Sequence, residues 1–229
     1  MDVVLVHSPL VGPSTWTPVA GELGRRGHAA AVPVLDHEPN GDWRRWVGQI
    51  GDVVQALPGP VVVAGHSGGG LLLPCVTTEV ARSGGCLVFV DAGLPEASGE
   101  TPVVPPSFRE FLAGLAGDDG MVPPWPQWWG DEAMCDLVPD QAQRAAVAAE
   151  APSLPLAYFD QRVSSPAGWD AVPCAYLQLS EAYDDAAADA RARGWPVEST
   201  AGAQHLHTVV APGVVADALL RLAGAAARG

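Results

Sequence analysis

A chain of 229 residues with 48% hydrophobic and 17% charged side chains can bury a full core, which excludes a disordered protein and suits one α/β domain with an insertion. The formal charge of −14 and the lack of any arginine cluster, with no lysine present, argue against nucleic acid or an anionic membrane as partner. Cys75, Cys86, Cys135 and Cys174 form no Cys-x-x-Cys pair and read as free thiols.

Met1-Asp2-Val3-Val4 enters a strand without a basic leader or cleavage site, and no apolar run is long enough to span a bilayer. A soluble cytoplasmic protein, monomeric or homodimeric, is expected. Val3–Val6 reads as a buried parallel strand ending at His7. Ser14 then caps a helix from about Trp16 to Gly27. A second strand is expected over His28–Val34, followed by a polar loop, Asp36-His37-Glu38-Pro39-Asn40. Trp43, Trp46, Val47, Ile50, Val53, Val54 and Leu57 recur at helical spacing, so the segment from Asp42 to Leu57 is an amphipathic helix stopped by Pro58-Gly59-Pro60.

The next stretch, Val61-Val62-Val63-Ala64-Gly65-His66-Ser67-Gly68-Gly69-Gly70-Leu71, is a β-branched run breaking into a helix with one serine at the break. Gly65 and Gly69 let strand and helix pass closely in this Gly-x-Ser-x-Gly pattern. Ser67 is the candidate nucleophile, and the Gly68 N–H faces a developing oxyanion. After the strand Cys86–Val90 the alternation of strand and helix stops. The segment 96–170 is rich in proline and tryptophan, with short helices near Phe108–Ala116 and Gln141–Glu150. Alternation resumes with a strand from Cys174 to Ser180, a helix near Asp184–Arg193, a strand at Pro196–Ser199 and a last helix from Pro212. Residues 1–95 and 171–229 thus form a mostly parallel α/β core, and 96–170 an inserted helical lid over the carboxyl ends of the strands.

A serine hydroxyl needs a base held in one tautomer by a third group. His205 is chosen because its loop follows the last strand and precedes the final helix; His207 is the local competitor. His66 shapes the elbow, His7 hydrogen-bonds structurally at the end of the first strand, and His28 and His37 belong to the surface. Asp91, at the carboxyl end of the strand after the elbow, leads as the acid. Glu181 is the alternative, with Asp184 and Asp185 behind it as the acidic first turn of a helix.

With these residues in place the chain resembles the α/β-hydrolase fold proteins, in particular the esterase and hydroxynitrile lyase branch. His7-Ser8-Pro9-Leu10-Val11-Gly12-Pro13-Ser14-Thr15-Trp16 is similar to that branch's oxyanion loop, and His205 with Pro212 seven residues on is similar to its catalytic histidine segment. The resemblance implies a triad of Ser67, His205 and an acid. The family commonly places the acid after the strand that ends here in Ser180-Glu181-Ala182-Tyr183. Val90-Asp91-Ala92-Gly93-Leu94-Pro95 instead resembles the segment of haloalkane dehalogenases whose acid comes one strand earlier, although Ser67 argues against dehalogenation. The loop position that usually gives a backbone N–H is Pro9, which has none, so Leu10 substitutes or Gly68 acts alone.

Trp125, Trp128, Trp129, Phe108, Phe111, Tyr158, Phe159 and Trp169 concentrate in or beside the insertion and suggest an aromatic ceiling. Pro9, His66, Trp125, Trp128 and Trp129 are the candidate substrate contacts. No phosphate loop, dinucleotide fingerprint or metal-ligand spacing is present, so neither cofactor nor metal is expected. The expectation is a cofactor-independent serine hydrolase cleaving an ester or thioester of a hydrophobic small molecule, in bacterial secondary metabolism. Its rivals are a lyase or cyclase using Ser67 and His205 for proton transfer, and a non-catalytic ligand-binding protein on the same scaffold.

Overall fold

The computed structural model describes residues 1–36 and 41–228. His37 and the rest of the expected loop through Asn40 lie outside the described residues. The chain begins with β1 (Asp2–Val6), a 3-10 turn at Pro13–Thr15, α1 (Thr17–Arg25), β2 (Ala29–Ala31), α2 (Trp43–Gln55) and β3 (Val61–His66). A 3-10 run at Ser67–Val76 leads into α3 (Thr77–Ser83) and β4 (Cys86–Val90). The segment between β4 and the next strand of the main sheet contributes β5 (Gly99–Pro102), α4 (Pro106–Leu115), β6 (Met121–Val122), α5 (Gly130–Leu137), α6 (Gln141–Glu150), β7 (Leu154–Pro155) and β8 (Arg162–Ser165). The core is completed by β9 (Cys174–Gln178), α7 (Asp184–Ala192), β10 (Val197–Ser199), α8 (His207–Val210) and α9 (Pro212–Ala226).

Among the described residues six strands form one parallel sheet in the order β10-β9-β4-β3-β1-β2. Alternate residues of each strand face opposite sides, so the continuous apolar runs read in the sequence supply two cores. Val4, Val6, Val61, Val63, Leu87, Phe89 and Tyr176 pack with α2 and the leucines after Ser67. Val3, Leu5, Val62, Ala64, Val88, Val90 and Leu177 pack with α1 and α9. Each fully buried aliphatic or aromatic side chain contributes about 1.5–3 kcal/mol of burial free energy, which is why strands of five or six residues suffice. The segment between β4 and β9 adds two small antiparallel ladders, β5 with β8 and β6 with β7.

Three local expectations are corrected. The second strand covers only Ala29–Ala31, because it is an edge strand paired with β1 alone, Pro33 lacks an N–H for a ladder, and Val34 is 65% exposed. Ser14 is not a helix cap: it lies inside the 3-10 turn, α1 starts after Trp16, and the Ser14 N–H donates to the Glu150 carboxylate of α6 at 2.6 Å. The ten residues after His66 wind as 3-10 turns, with Pro74 unable to donate to an α-helical ladder; regular α-helix begins only at Thr77. Among the described residues no helix is long and apolar enough to cross a membrane.

Candidate active site

Strand register places the site. Val6 lies opposite Gly65, His66 opposite Val90, and Val90 opposite Leu177, so the carboxyl ends of β1, β3, β4 and β9 come level. The residues that follow these strands therefore emerge along one edge, and Ser67 and Asp91 are among them. These two are the non-glycine residues with positive φ among the described residues, 54° at Ser67 and 44° at Asp91. Such a backbone costs about 1–3 kcal/mol and persists only where the surroundings enforce it.

At Ser67 the enforcement is steric. A Cβ on Gly65 would lie 2.9 Å from the Gly69 carbonyl oxygen, and one on Gly69 would lie 2.7 Å from both the Val6 and His7 carbonyl oxygens. The strand can turn into the following helix only with hydrogen at both places. At Asp91 the enforcement is a hydrogen-bond cage. Its Oδ1 accepts from the Leu179 and Ser180 N–H groups, both at 2.8 Å, and its Oδ2 accepts the Ser180 hydroxyl at 2.6 Å. His205 Nδ1 meets the same Oδ2 at 2.7 Å. The carboxyl has no solvent exposure, and burial alone would raise its pKa; the bonds from His205, Ser180 and Leu179 hold it below the ordinary carboxylate value instead. Ionised Asp91 keeps the proton on Nδ1, leaving the lone pair on Nε2.

Three rings fix His205. Tyr183 lies parallel to it with centroids 5.4 Å apart, His66 is at 4.5 Å, and Trp125 is at 6.2 Å. His66 Nε2 also donates to the His205 carbonyl at 2.9 Å. Burial, with the neighbouring His205, depresses the His66 pKa to about 3, so His66 is a neutral strut between elbow and histidine loop. His207 begins α8, its N–H bonded to the Gln204 carbonyl.

Ser67, His205, His66, Ser8, Leu10, Val11, Trp125 and Leu206 line one narrow cleft of about 10 Å³, room for about a single water. Ser67 Oγ is 3.4 Å from the Tyr183 hydroxyl. His205 also borders a wider open groove of about 630 Å³ whose wall includes Ser180, Glu181 and Gln204. Pro9 packs near Gly68, with its Cδ 3.3 Å from where a Gly68 Cβ would be. The Leu10 N–H donates to Ser8 Oγ at 3.3 Å and the Val11 N–H to the Ser8 carbonyl at 3.1 Å, so the loop's own amides turn back on Ser8. The Gly68 N–H lies in the first turn after the elbow, where helical amides have no acceptor within the helix.

The structure thus brings together Ser67, His205, Asp91, His66, Leu10 and Trp125. Glu181 is exposed and opens the 3-10 turn Glu181–Tyr183, while Asp91 holds the contact to His205. Trp128 is buried with its indole N–H on the Pro123 carbonyl, and Trp129 is 45% exposed and stacked on Phe111; neither lines the cleft. Sequence reasoning gave no role to Tyr183, Ser180 or Ser8. The available signal was position, since Ser180 and Tyr183 follow a central strand and Ser8 follows His7.

A sequence model of the alpha/beta hydrolase family matches residues 3–218, and the chain belongs to that family. No curated protein matches it in sequence. Among solved structures, it is similar to an extracellular α/β-hydrolase from a Paenibacillus species, described as sharing homology with tobacco salicylic acid binding protein 2. That match has 18% identity and TM-score 0.77 and covers 97% of this chain and 99% of that one. Polyneuridine aldehyde esterase matches at 17% identity and TM-score 0.73, over 96% and 98% of the two chains. The pyrethroid hydrolase PytH matches at 18% and 0.70, over 100% and 99%. At these identities the likeness is one of fold.

Proposed function

We propose that the protein is a serine hydrolase cleaving an ester or thioester of a hydrophobic small molecule through an acyl-enzyme. The observation that carries this reading is the 2.7 Å contact between His205 and a buried, ionised Asp91, level with a serine held at positive φ on a glycine-flanked elbow. Ser67 attacks the carbonyl after its side chain turns from Tyr183 to His205 Nε2, which takes the proton. Asp91 stabilises the imidazolium, and the Gly68 N–H receives the oxyanion. The imidazolium protonates the departing oxygen or sulfur, and water activated by His205 releases the acid. Leu10, Val11, Leu206 and Trp125 offer apolar walls to the acyl group, with Trp125 coming from the inserted segment, which acts as the lid. Structural neighbours described as an esterase and a pyrethroid hydrolase agree with this chemistry.

A second reading keeps Ser67 and His205 but uses them for proton transfer and elimination. The inward-turned Leu10 amide and the missing Pro9 N–H favour it, because they leave fewer donors for a tetrahedral oxyanion. The two readings separate by intact-protein mass after a fluorophosphonate, with Ser67→Ala as control and p-nitrophenyl butyrate as substrate. Acyl transfer requires one Ser67-dependent adduct that abolishes turnover. A folded protein with no adduct refutes it.

A further inference from the structure

The scheme above leaves Tyr183 without a task, although it touches both reacting side chains. Its ring lies only 11° from parallel to the His205 imidazole, and its hydroxyl is 3.4 Å from Ser67 Oγ. The turn carrying it starts at the Ser180 cap, and Asp91 pins that start by binding the Leu179 and Ser180 amides. The carboxylate that orients His205 therefore also sets the turn that lays Tyr183 over it. Burial raises the phenol pKa, so the group stays protonated and acts as a donor at neutral pH.

We infer that Tyr183 is a catalytic residue whose O–H binds the leaving-group oxygen as the acyl-enzyme forms, suiting the site to esters of weakly acidic alcohols. This rests on the acyl-transfer reading. With its rings stacked, the phenol lies beside His205 and meets Ser67 Oγ, the oxygen that His205 Nε2 must serve. A departing oxygen must come within reach of Nε2 to be protonated, which brings it beside the phenol. The carbon–oxygen bond breaks with its electron pair going to the leaving oxygen, and the imidazolium passes its Nε2 proton to that oxygen. Tyr183 keeps its own proton and stabilises the charge developing there. This donor matters more here because Pro9 has no N–H and the Leu10 amide is bound to Ser8. A nitrophenolate departs with little help, whereas an alkoxide needs it.

The test is Tyr183→Phe, which keeps the stacked ring, assayed on the p-nitrophenyl, phenyl and ethyl esters of butyric acid. The kcat/KM falls about threefold on the nitrophenyl ester and on the order of 100-fold on the ethyl ester, the usual effect of removing a transition-state donor. Equal losses along the series would show that the hydroxyl merely positions Ser67, and no loss would show that it does nothing; either overturns the inference. A second measurement needs no variant. For the wild type, kcat/KM must depend only weakly on leaving-group acidity, and a steep dependence overturns the inference as well. A wild type that gives no Ser67-dependent fluorophosphonate adduct instead brings down the acyl-transfer reading beneath it.

Discussion

Asp91→Asn isolates charge from shape. Asparagine tolerates the left-handed backbone that Asp91 adopts at φ 44°, so the turn survives the change. Its amide oxygen takes over the Leu179 and Ser180 N–H groups, each 2.8 Å from Oδ1 in the wild type. The amide nitrogen then faces the Ser180 hydroxyl and His205 Nδ1, which stand 2.6 and 2.7 Å from Oδ2. Being a donor, it selects the His205 tautomer with the proton on Nε2, which cannot accept one from Ser67. The expected loss in kcat is on the order of 10³–10⁴. Two charge-assisted bonds are weakened, a net cost of about 2 kcal/mol, and for a chain of this size that lowers the melting temperature by about 4–8 °C. Because the wild-type carboxyl titrates below its unfolded value, its contribution to stability is present above about pH 4 and is lost as pH falls through the folded pKa. The variant's stability is correspondingly flatter in acid. The assay is p-nitrophenyl butyrate turnover beside Glu181→Gln, which stays within about twofold of wild type because its side chain is exposed. The reasoning is refuted if Asp91→Asn stays within tenfold of wild type, or if Glu181→Gln is the more damaging.

Gly69→Ala places a methyl 2.7 Å from the Val6 and His7 carbonyl oxygens, so urea unfolding shows a loss of about 1–3 kcal/mol with impaired turnover; an unchanged midpoint contradicts the steric account of the elbow. His66, with a folded pKa of about 3 against 6.5 unfolded, gives stability that is complete above pH 6.5 and drains away as pH falls toward 3. At pH 5 the drain is about 2 kcal/mol. His66→Gln, which keeps a donor for the His205 carbonyl, removes this slope from denaturation curves taken between pH 4 and 7, and a slope that persists places the acid sensitivity elsewhere.

The sequence made the sheet legible because each central strand is buried on both faces and so reads as an unbroken apolar run. The elbow was legible because its glycines are a steric requirement of the turn. Asp91 could be favoured over Glu181 only narrowly, since strand register, which sets Asp91 beside Leu179 and Ser180, is absent from a linear pattern. The tryptophans show where composition stops informing. Trp128 and Trp129 form a cluster with Phe108 and Phe111, while Trp125 alone of the three turns to the cleft. Val34 read as strand because it is apolar, but Pro33 before it has no N–H for the ladder, which ends at Ala31, and Val34 turns to solvent. The small ladders at Gly99–Pro102 and Met121–Val122 are too short for alternation to register. Tyr183 went unassigned because its contact with Ser67 spans 116 positions of the chain.

The central claim is that Ser67 becomes acylated. Rapid quenching of the protein with excess p-nitrophenyl butyrate, followed by intact mass and peptide mapping, tests it most directly. The account predicts a butyryl adduct on the peptide bearing Ser67, formed with the first burst of nitrophenol and absent from Ser67→Ala. Turnover with no adduct at any quench time, from a protein whose Ser67→Ala variant is inactive, would contradict it and leave proton transfer as the role of Ser67 and His205.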